Sequence, residues 1–188
     1  MRRGRPRSEA VRAAILDAAY ALTATHGLAA ATIDTIARES QASKMSIYKW
    51  WPSRLALLID AFLRHAAQVL PLPEQGDPVR VLRAHAGAYV RALGEDLGRV
   101  QLAVVAECLA HTGSAHLFSE RYLSHRRARM LDIIRRGQRE GAITATEAAG
   151  DLYDRIYGTL FYQYVFGFGR LNAPYARRLV DAVLRPQA

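Results

Sequence analysis

Residues 32–51 read TIDTIARESQASKMSIYKWW, and this stretch decides the fold of the N-terminal part of the chain. Apolar residues recur at a helical spacing on both sides of a short polar break at 40–42. Thr32 and Ser43 stand where each helix would begin, and their hydroxyls can cap the first turn. Two short helices joined by such a break predict a helix-turn-helix.

The remainder of the chain keeps the helical period and shows no period-2 alternation, so we predict an all-α fold with about nine helices. The stretch PLPEQGDP, at 71–78, has the composition of a linker. The predicted organisation is a flexible basic arm over 1–9, a helix-turn-helix domain over 10–54 and a larger C-terminal helical domain over 55–188. Beyond the linker, helices are expected at about 78–93, 97–111, 115–140, 146–168 and 174–185.

The charge of the chain favours a polyanionic partner. The 188 residues carry a net charge of +9, and residues 1–55 hold nine basic and four acidic side chains. Such a balance is typical of proteins that meet nucleic acid or a membrane surface. No run of about 18 apolar residues and no signal-peptide core occurs, so a membrane partner is not expected. The single cysteine, Cys108, excludes an intrachain disulfide and fits a cytoplasmic location.

The second short helix carries the side chains that a DNA recognition helix needs. Lys44 and Lys49 can contact phosphates or guanine edges, and Tyr48 can donate its hydroxyl to a phosphate. Thr32 and Arg54 can offer donors to phosphates where neighbouring helices begin. The solvated face of an ordinary helix has the same pattern, so spacing alone leaves both interpretations open.

A run of arginines, RRGRPR at residues 2–7, precedes the predicted helix-turn-helix domain, or head. Arginines around a glycine and a proline predict an extended arm that cannot become helix. In that arm Arg3 and Arg5 would enter a narrow A·T minor groove, as in the core of an AT-hook. The alternative is a basic tail that is disordered in the free protein.

Residues 12–60 resemble the N-terminal domain of TetR-family repressors. The matching features are an Ile-Leu-Asp-Ala-Ala first helix, the glycine that ends it, Thr-Ile followed by Ile-Ala, Ser-Lys before a tyrosine and an aromatic pair, and Pro-Ser-Arg before leucine. The resemblance implies an all-α repressor with DNA-contacting positions in and beside the second short helix. These positions are Thr32, Ser43, Lys44, Ser46, Tyr48, Lys49 and Arg54.

Two positions depart from the family pattern. Gln41 stands where the family usually has glycine, and a left-handed conformation there would cost roughly 1–2 kcal/mol. Met45 stands where a small residue is usual, at a position that can contact a base edge. We therefore include Met45 among the DNA-binding residues and transfer no operator sequence from the family.

The C-terminal part resembles one subclass of the same family, in which the last two helices pair with those of a second copy. Residues 133–144, IIRRGQREGAIT, carry this resemblance. Independently, residues 152–166 are apolar almost all round, which predicts a helix buried on both sides. A homodimer interface explains this pattern, with Gly158 allowing close approach, and so does a central core helix of a monomer. The predicted interface residues are Leu152, Ile156, Leu160, Tyr164, Tyr175, Leu179 and Val183.

A cavity for a small-molecule effector is expected among the helices at about 78–140. Every candidate residue can equally be ordinary core. Cys108, His111 and His116 lack a fourth ligand, so neither a metal nor a cofactor is predicted. The candidate lining residues are His85, Tyr89, Leu102, Val105, Cys108, Leu109, Phe118, Tyr122, Tyr157 and Phe161.

Taken together, these patterns predict a ligand-responsive transcriptional regulator that binds double-stranded DNA. We expect a homodimeric repressor on a palindromic operator, released by a small-molecule effector. One alternative is an architectural protein that prefers A·T-rich DNA and binds no ligand. Another is an all-α enzyme with an accessory head, but no phosphate-cradling loop, paired carboxylates or nucleophile–base pair is present, so no enzyme is predicted.

Overall fold

A computed structural model describes residues 5–72, 76–113 and 115–185, and within these ranges the chain is helical without strands. None of the helices in this part of the chain is both long enough and apolar enough to cross a membrane. The π turn Ser119–Leu123 joins α7 to α8 without a break. The helices are α1 Arg5–His26, α2 Ile33–Glu39, α3 Lys44–Trp50, α4 Arg54–Val69, α5 Pro78–Leu93, α6 Asp96–Thr112, α7 His116–Phe118, α8 Ser124–Arg139, α9 Ala149–Phe166 and α10 Ala173–Val183.

The first compact unit comprises residues 1–69 and 96–121. In it α1 packs against α2, α4 and α6, and α2 packs against α3. The apolar faces predicted from the helical period meet here, because Ile15, Ile36 and Ile47 are fully buried. Of the two tryptophans at the end of α3, Trp51 is the buried one, and its indole N–H donates to Asp60 over 2.9 Å.

The second compact unit comprises residues 70–95 and 122–188. Here α10 packs along α5, α9 packs on α8 and α10, and α5 also contacts α8. The close approach of α5 and α8 requires a glycine, since a Cβ at Gly137 would lie 2.9 Å from the Cβ of Pro78. One apolar cluster fills this unit and draws residues from all four helices.

The compact units do not coincide with the predicted domain boundary at 54/55. Helices α4 and α6 belong to the first unit because they pack on α1, although both fall in the range predicted for the C-terminal domain. The division into 10–54 and 55–188 therefore stays a prediction about function.

Part of the predicted basic arm is helical. Helix α1 begins at Arg5, so the expectation that residues 2–7 cannot become helix is wrong from Arg5 onward. The physical reason is that Pro6 lies in the first helical turn, where the missing N–H has no helical partner in any case. Arg3 lies outside the described residues.

Candidate nucleic-acid interface

The turn between α2 and α3 is built around a left-handed residue. Gln41 has φ of +54°, so of the two cases open for this position the left-handed one is observed. The turn is closed by Ala42 N–H, which donates to the Ala37 carbonyl over 3.0 Å, and by the Ser40 hydroxyl, which donates to Ile36 over 2.6 Å. These local bonds hold α2 and α3 together at the cost of strain at one non-glycine residue.

Both predicted capping residues occupy their expected places. The Thr32 hydroxyl accepts from Thr35 N–H at 3.1 Å, and the Ser43 hydroxyl accepts from Ser46 N–H at 3.0 Å. The two serine hydroxyls also share one hydrogen bond of 2.9 Å. Since each hydroxyl carries one hydrogen, that pair keeps one hydrogen free to donate to an outside acceptor.

Helix α3 turns one face to solvent and the other into the unit. Ile47 is fully buried, whereas Met45 is 82% and Tyr48 is 55% exposed. Lys44 and Lys49 are also exposed. A seven-residue helix with an exposed methionine and tyrosine between two lysines presents apolar, hydroxyl and cationic contacts together, which is the mixture that groove recognition uses.

Lys44 has a partner that the sequence did not reveal. Its ammonium group forms an ion pair with Asp34 on α2, and the hydrogen bond to that carboxylate is the main cause of the raised pKa of Lys44. Both side chains are largely exposed, so the attraction is weakened by water and salt. A phosphate can therefore compete with Asp34 for this lysine.

The Arg54 side chain is bound to other residues of the first unit rather than extended into solvent. Its guanidinium forms an ion pair with Glu107 of α6 and donates to the Leu28 carbonyl over 3.1 Å. Glu107 is only 7% exposed. A phosphate contact by Arg54 requires this ion pair to open, so the predicted DNA role of Arg54 stays a prediction and its structural role is an additional finding.

The ten residues predicted to line an effector cavity fall into different surroundings. Cys108 and Phe118 are buried in the first unit, where Val105 is half-buried. Leu102 and Leu109 are 38% and 51% exposed, so the expectation that they line an interior cavity is wrong. Their positions on α6 fall on its solvent side, which the helical period alone did not distinguish from the buried side.

The other five residues belong to the second unit. His85, Tyr89, Tyr122 and Tyr157 are buried there, and Phe161 is half-buried. The His85 Nδ1 lies 2.8 Å from the Tyr157 hydroxyl, and the rings of Tyr89 and Tyr157 are 5.9 Å apart. The structure thus brings several of the predicted effector residues into mutual contact.

Tyr153 completes this group, although the sequence analysis did not select it. Its ring centroid lies 4.5 Å from that of Tyr157, one helical turn away on α9. Burial lowers the pKa of His85 to about 3 and raises the pKa of Tyr153 to about 12. It also raises the pKa of Tyr157. At neutral pH all three are therefore uncharged.

The prediction of a dimer interface is wrong for four of its seven residues, which are buried within the chain itself. Leu152, Ile156 and Leu160 are fully buried and Val183 is 4% exposed, because α5, α8 and α10 cover them within the second unit. The remaining three are partly buried against the same core. Helix α9 is apolar on two sides, and the aliphatic side faces inward. The three that keep some exposure are Tyr164, Tyr175 and Leu179.

The outward side of α9, together with Phe168 just after the helix, carries exposed aromatic rings that were not predicted. Tyr162, Phe166 and Phe168 are between 55% and 59% exposed, with ring centroids 4.9 to 5.9 Å apart. Gly158, one turn earlier, has no neighbouring atom within 4 Å of the place a Cβ would take. The available sequence signal was that residues 152–166 are apolar almost all round, which does not say which aromatic rings face outward.

Within the described ranges, no three His, Cys, Asp or Glu side chains come together as metal ligands.

Residues 15–61 match the family described as bacterial regulatory proteins, tetR family. Residues 72–183 match the family described as tetracyclin repressor-like, C-terminal domain. Together these matches span both the head and the larger helical part.

Individual relatives agree with the family matches. The chain is 33% identical to the HTH-type transcriptional regulator YdeS of Bacillus subtilis over 179 residues, which cover 95% of this chain and 90% of that protein. It is 30% identical to the HTH-type transcriptional repressor SCO4008 of Streptomyces coelicolor, over 77% of this chain and 73% of the relative. The crystal structure of the TetR family transcription regulator SCO0332 is 27% identical, with a TM-score of 0.77, and covers 93% of this chain and 96% of its own.

Proposed function

The chain belongs to the TetR family of helix-turn-helix transcriptional regulators, and from that premise we propose that it is a homodimeric repressor released by a small-molecule effector. Regulators of this family bind DNA, act as dimers and are not enzymes. Repression is supported by the relative that is named a transcriptional repressor.

The exposed face of α3 is the observation that supports specific DNA binding most directly. Lys44, Met45, Tyr48 and Lys49 are solvent-exposed on a short helix whose opposite face is locked by Ile47. In the proposed complex this face enters the major groove, where the methionine contacts a base edge and the cations contact phosphates or guanines. Thr32 and one hydroxyl of the Ser43–Ser46 pair donate to the flanking phosphates.

The homodimer is proposed to form through the outward side of α9. Tyr162, Phe166 and Phe168 offer an apolar aromatic surface, and Gly158 leaves room for a helix of the second copy. Aromatic residues are enriched at the centres of such interfaces. Binding of a palindrome requires the two recognition helices of such a dimer to lie about 34–36 Å apart, one turn of DNA.

Selection of binding sites from a random duplex library at physiological salt tests the proposal. We expect one palindrome with half-sites about 10 base pairs apart to be enriched. Enrichment of A·T-rich DNA without a palindrome would favour an architectural protein instead. Salt must be fixed because the electrostatic part of the affinity depends steeply on it.

The selected operator then tests α3 with matched variants. Lys49→Gln should weaken binding and lower the salt slope by about one, because one phosphate contact is lost. Arg139→Gln removes the same charge from an exposed position on α8 and should leave both quantities unchanged. Equal losses in the two variants would mean that only net charge matters.

Sedimentation velocity tests the aromatic face. Phe166→Glu places a charge in the proposed interface and should convert the dimer to monomer at micromolar concentration. Leu109→Glu is the control, since Leu109 is 51% exposed on α6 and Phe166 is 59% exposed on α9. A dimer that persists in Phe166→Glu would exclude this face from the interface.

A further inference from the structure

Two adjacent arginines on α8 have different surroundings. Arg127 forms an ion pair with Asp154 over 2.5 Å. Arg126 donates to the Leu70 carbonyl and lies 3.4 Å from His85 Nε2, but no carboxylate pairs with it among the residues that the structure describes. A half-buried guanidinium without a counter-charge has the donors and the charge to bind an anion.

The contacts of His85 fix where its proton lies. Arginine has only donors, so His85 Nε2 must accept from Arg126. The buried imidazole is neutral at pH 7, and its one proton is therefore on Nδ1, which donates to the Tyr157 hydroxyl at 2.8 Å. That oxygen accepts, and the hydroxyl hydrogen of Tyr157 remains available to a further acceptor.

The tyrosine rings nearby do not form a site for a cation. The Arg126 guanidinium carbon lies 5.3 Å from the ring centroid of Tyr122, and that of Arg127 lies 5.1 Å from the ring centroid of Tyr153. These cation–π contacts already occupy the ring faces that an ammonium ligand would use. The positive charge of Arg126 would also repel such a ligand.

We propose that the cluster of His85, Arg126 and Tyr157 binds the carboxylate of a small aromatic acid, which identifies the chemical class of the effector and rests on the proposed ligand-responsive function. The carboxylate accepts one hydrogen bond from the Arg126 guanidinium and one from the Tyr157 hydroxyl, whose hydrogen is not used in the bond with His85. The ring of Tyr89 contacts its aromatic body.

Binding of the acid would change one contact directly. Arg126 holds the carbonyl of Leu70, a 2% exposed residue that follows the last residue of α4 in the chain. A carboxylate on Arg126 competes with that carbonyl for the guanidinium. The chain segment after α4 is therefore where an effector signal would begin.

The test uses the full-length protein and benzoate, 3-phenylpropionate and 1-naphthoate, each paired with its primary amide. Calorimetric titration should show at least one acid binding the protein, with at least tenfold weaker binding of the matched amide. Arg126→Gln should weaken binding of that acid at least tenfold and Tyr157→Phe several-fold. Arg127→Gln, the neighbouring control, should change it less than threefold.

Three results would overturn this assignment. They are equal binding of acids and amides or no binding of either, an equal loss in the two arginine variants, and tighter binding of phenylpropyl-trimethylammonium than of 3-phenylpropionate. Near-ultraviolet circular dichroism checks that each variant is folded, and Arg126→Lys, which keeps the charge, should recover part of the affinity if Arg126→Gln is unstable.

Operator binding is measured separately, so that the two proposals can fail independently. An acid that binds without releasing operator DNA keeps the carboxylate site and contradicts effector-induced release. Failure to select a palindrome contradicts the proposed regulator but leaves the proposed carboxylate site unaffected.

Discussion

The recognition helix and the histidine–tyrosine cluster are assembled in opposite ways. The hydrogen bonds that cap α3 join residues three positions apart, such as Ser43 and Ser46, and most of its predicted DNA-contacting side chains are exposed. The cluster joins residues 72 and 41 positions apart, His85 with Tyr157 and with Arg126. It buries its polar groups.

This difference explains which site can be recognised in a sequence. A helix-turn-helix is specified by short-range capping and spacing, so its residues carry a readable pattern. A buried polar cluster depends on which helices meet, and its members look like ordinary core residues until the fold is known.

Arg54 offers the strongest test, because its partner Glu107 is buried and lies 53 positions away in the chain. Arg54→Gln should lower the free energy of unfolding by about 3 kcal/mol, since the buried Glu107 loses its counter-charge. Urea denaturation measures this loss. The control Arg99→Gln, in an exposed pair with Asp96, should cost less than about 0.5 kcal/mol. Similar small changes in both would show that the Arg54 pair is solvated.

The pH dependence of stability probes the buried cluster. The pKa of His85 is lowered from 6.5 to about 3 in the folded protein, mainly by burial. Between these values the unfolded chain binds the extra proton, so stability falls as the pH decreases from 7. This residue should contribute a loss of about 2 kcal/mol between pH 7 and 5.

Denaturant midpoints at the two pH values, compared between wild type and His85→Asn, isolate that contribution. The asparagine retains a donor toward Tyr157 but does not titrate, so the variant should lose less stability on acidification. An identical pH dependence in both proteins would contradict a neutral buried histidine.

Backbone strain at the turn gives a smaller effect of opposite sign. Gln41→Gly should raise the free energy of unfolding by about 1 kcal/mol, because glycine adopts φ of +54° without a steric penalty. Thermal denaturation checks the direction. Gly27→Ala is the reciprocal control and should be destabilising, since Gly27 has φ of +79°. A destabilised Gln41→Gly would mean that the glutamine side chain contributes more than the strain costs.

The exposed pair of Lys44 and Asp34 should matter least for stability and more for DNA. Asp34→Asn should leave the thermal midpoint nearly unchanged, since both side chains are solvent-exposed. It should raise operator affinity several-fold at low salt, because Lys44 no longer divides its charge between a carboxylate and a phosphate. Fluorescence anisotropy at two salt concentrations measures this change, and an unaltered affinity would remove Lys44 from the set of phosphate contacts.

Much of the fold was predictable from sequence. The helical period gave the all-α class, and it placed α5 at 78–93, as observed. The caps at Thr32 and Ser43 and the position of the turn at 40–42 also followed from local chemistry. These features depend on residues within a few positions of each other, where propensity and capping decide the conformation.

The helix faces were less predictable. Helix α9 is apolar on two sides, and nothing local distinguishes the side of Ile156, which is fully buried, from the side of Phe166, which is 59% exposed. The predicted interface therefore included Leu152, Ile156 and Leu160, which lie on the buried side of α9. The packing of α5, α8 and α10 around α9 decides which side of this helix is buried.

The sequence by itself determined the helices, the capped turn and the residues available to α3, because these depend on neighbours along the chain. Only the tertiary structure decided that Arg54 pairs with Glu107 and that Arg126 has no carboxylate partner in the described part of the chain. The physical reason is that an ion pair or a buried hydrogen bond requires two groups within about 3–4 Å. Distances of that kind between residues 40 or more positions apart exist only once the helices have packed.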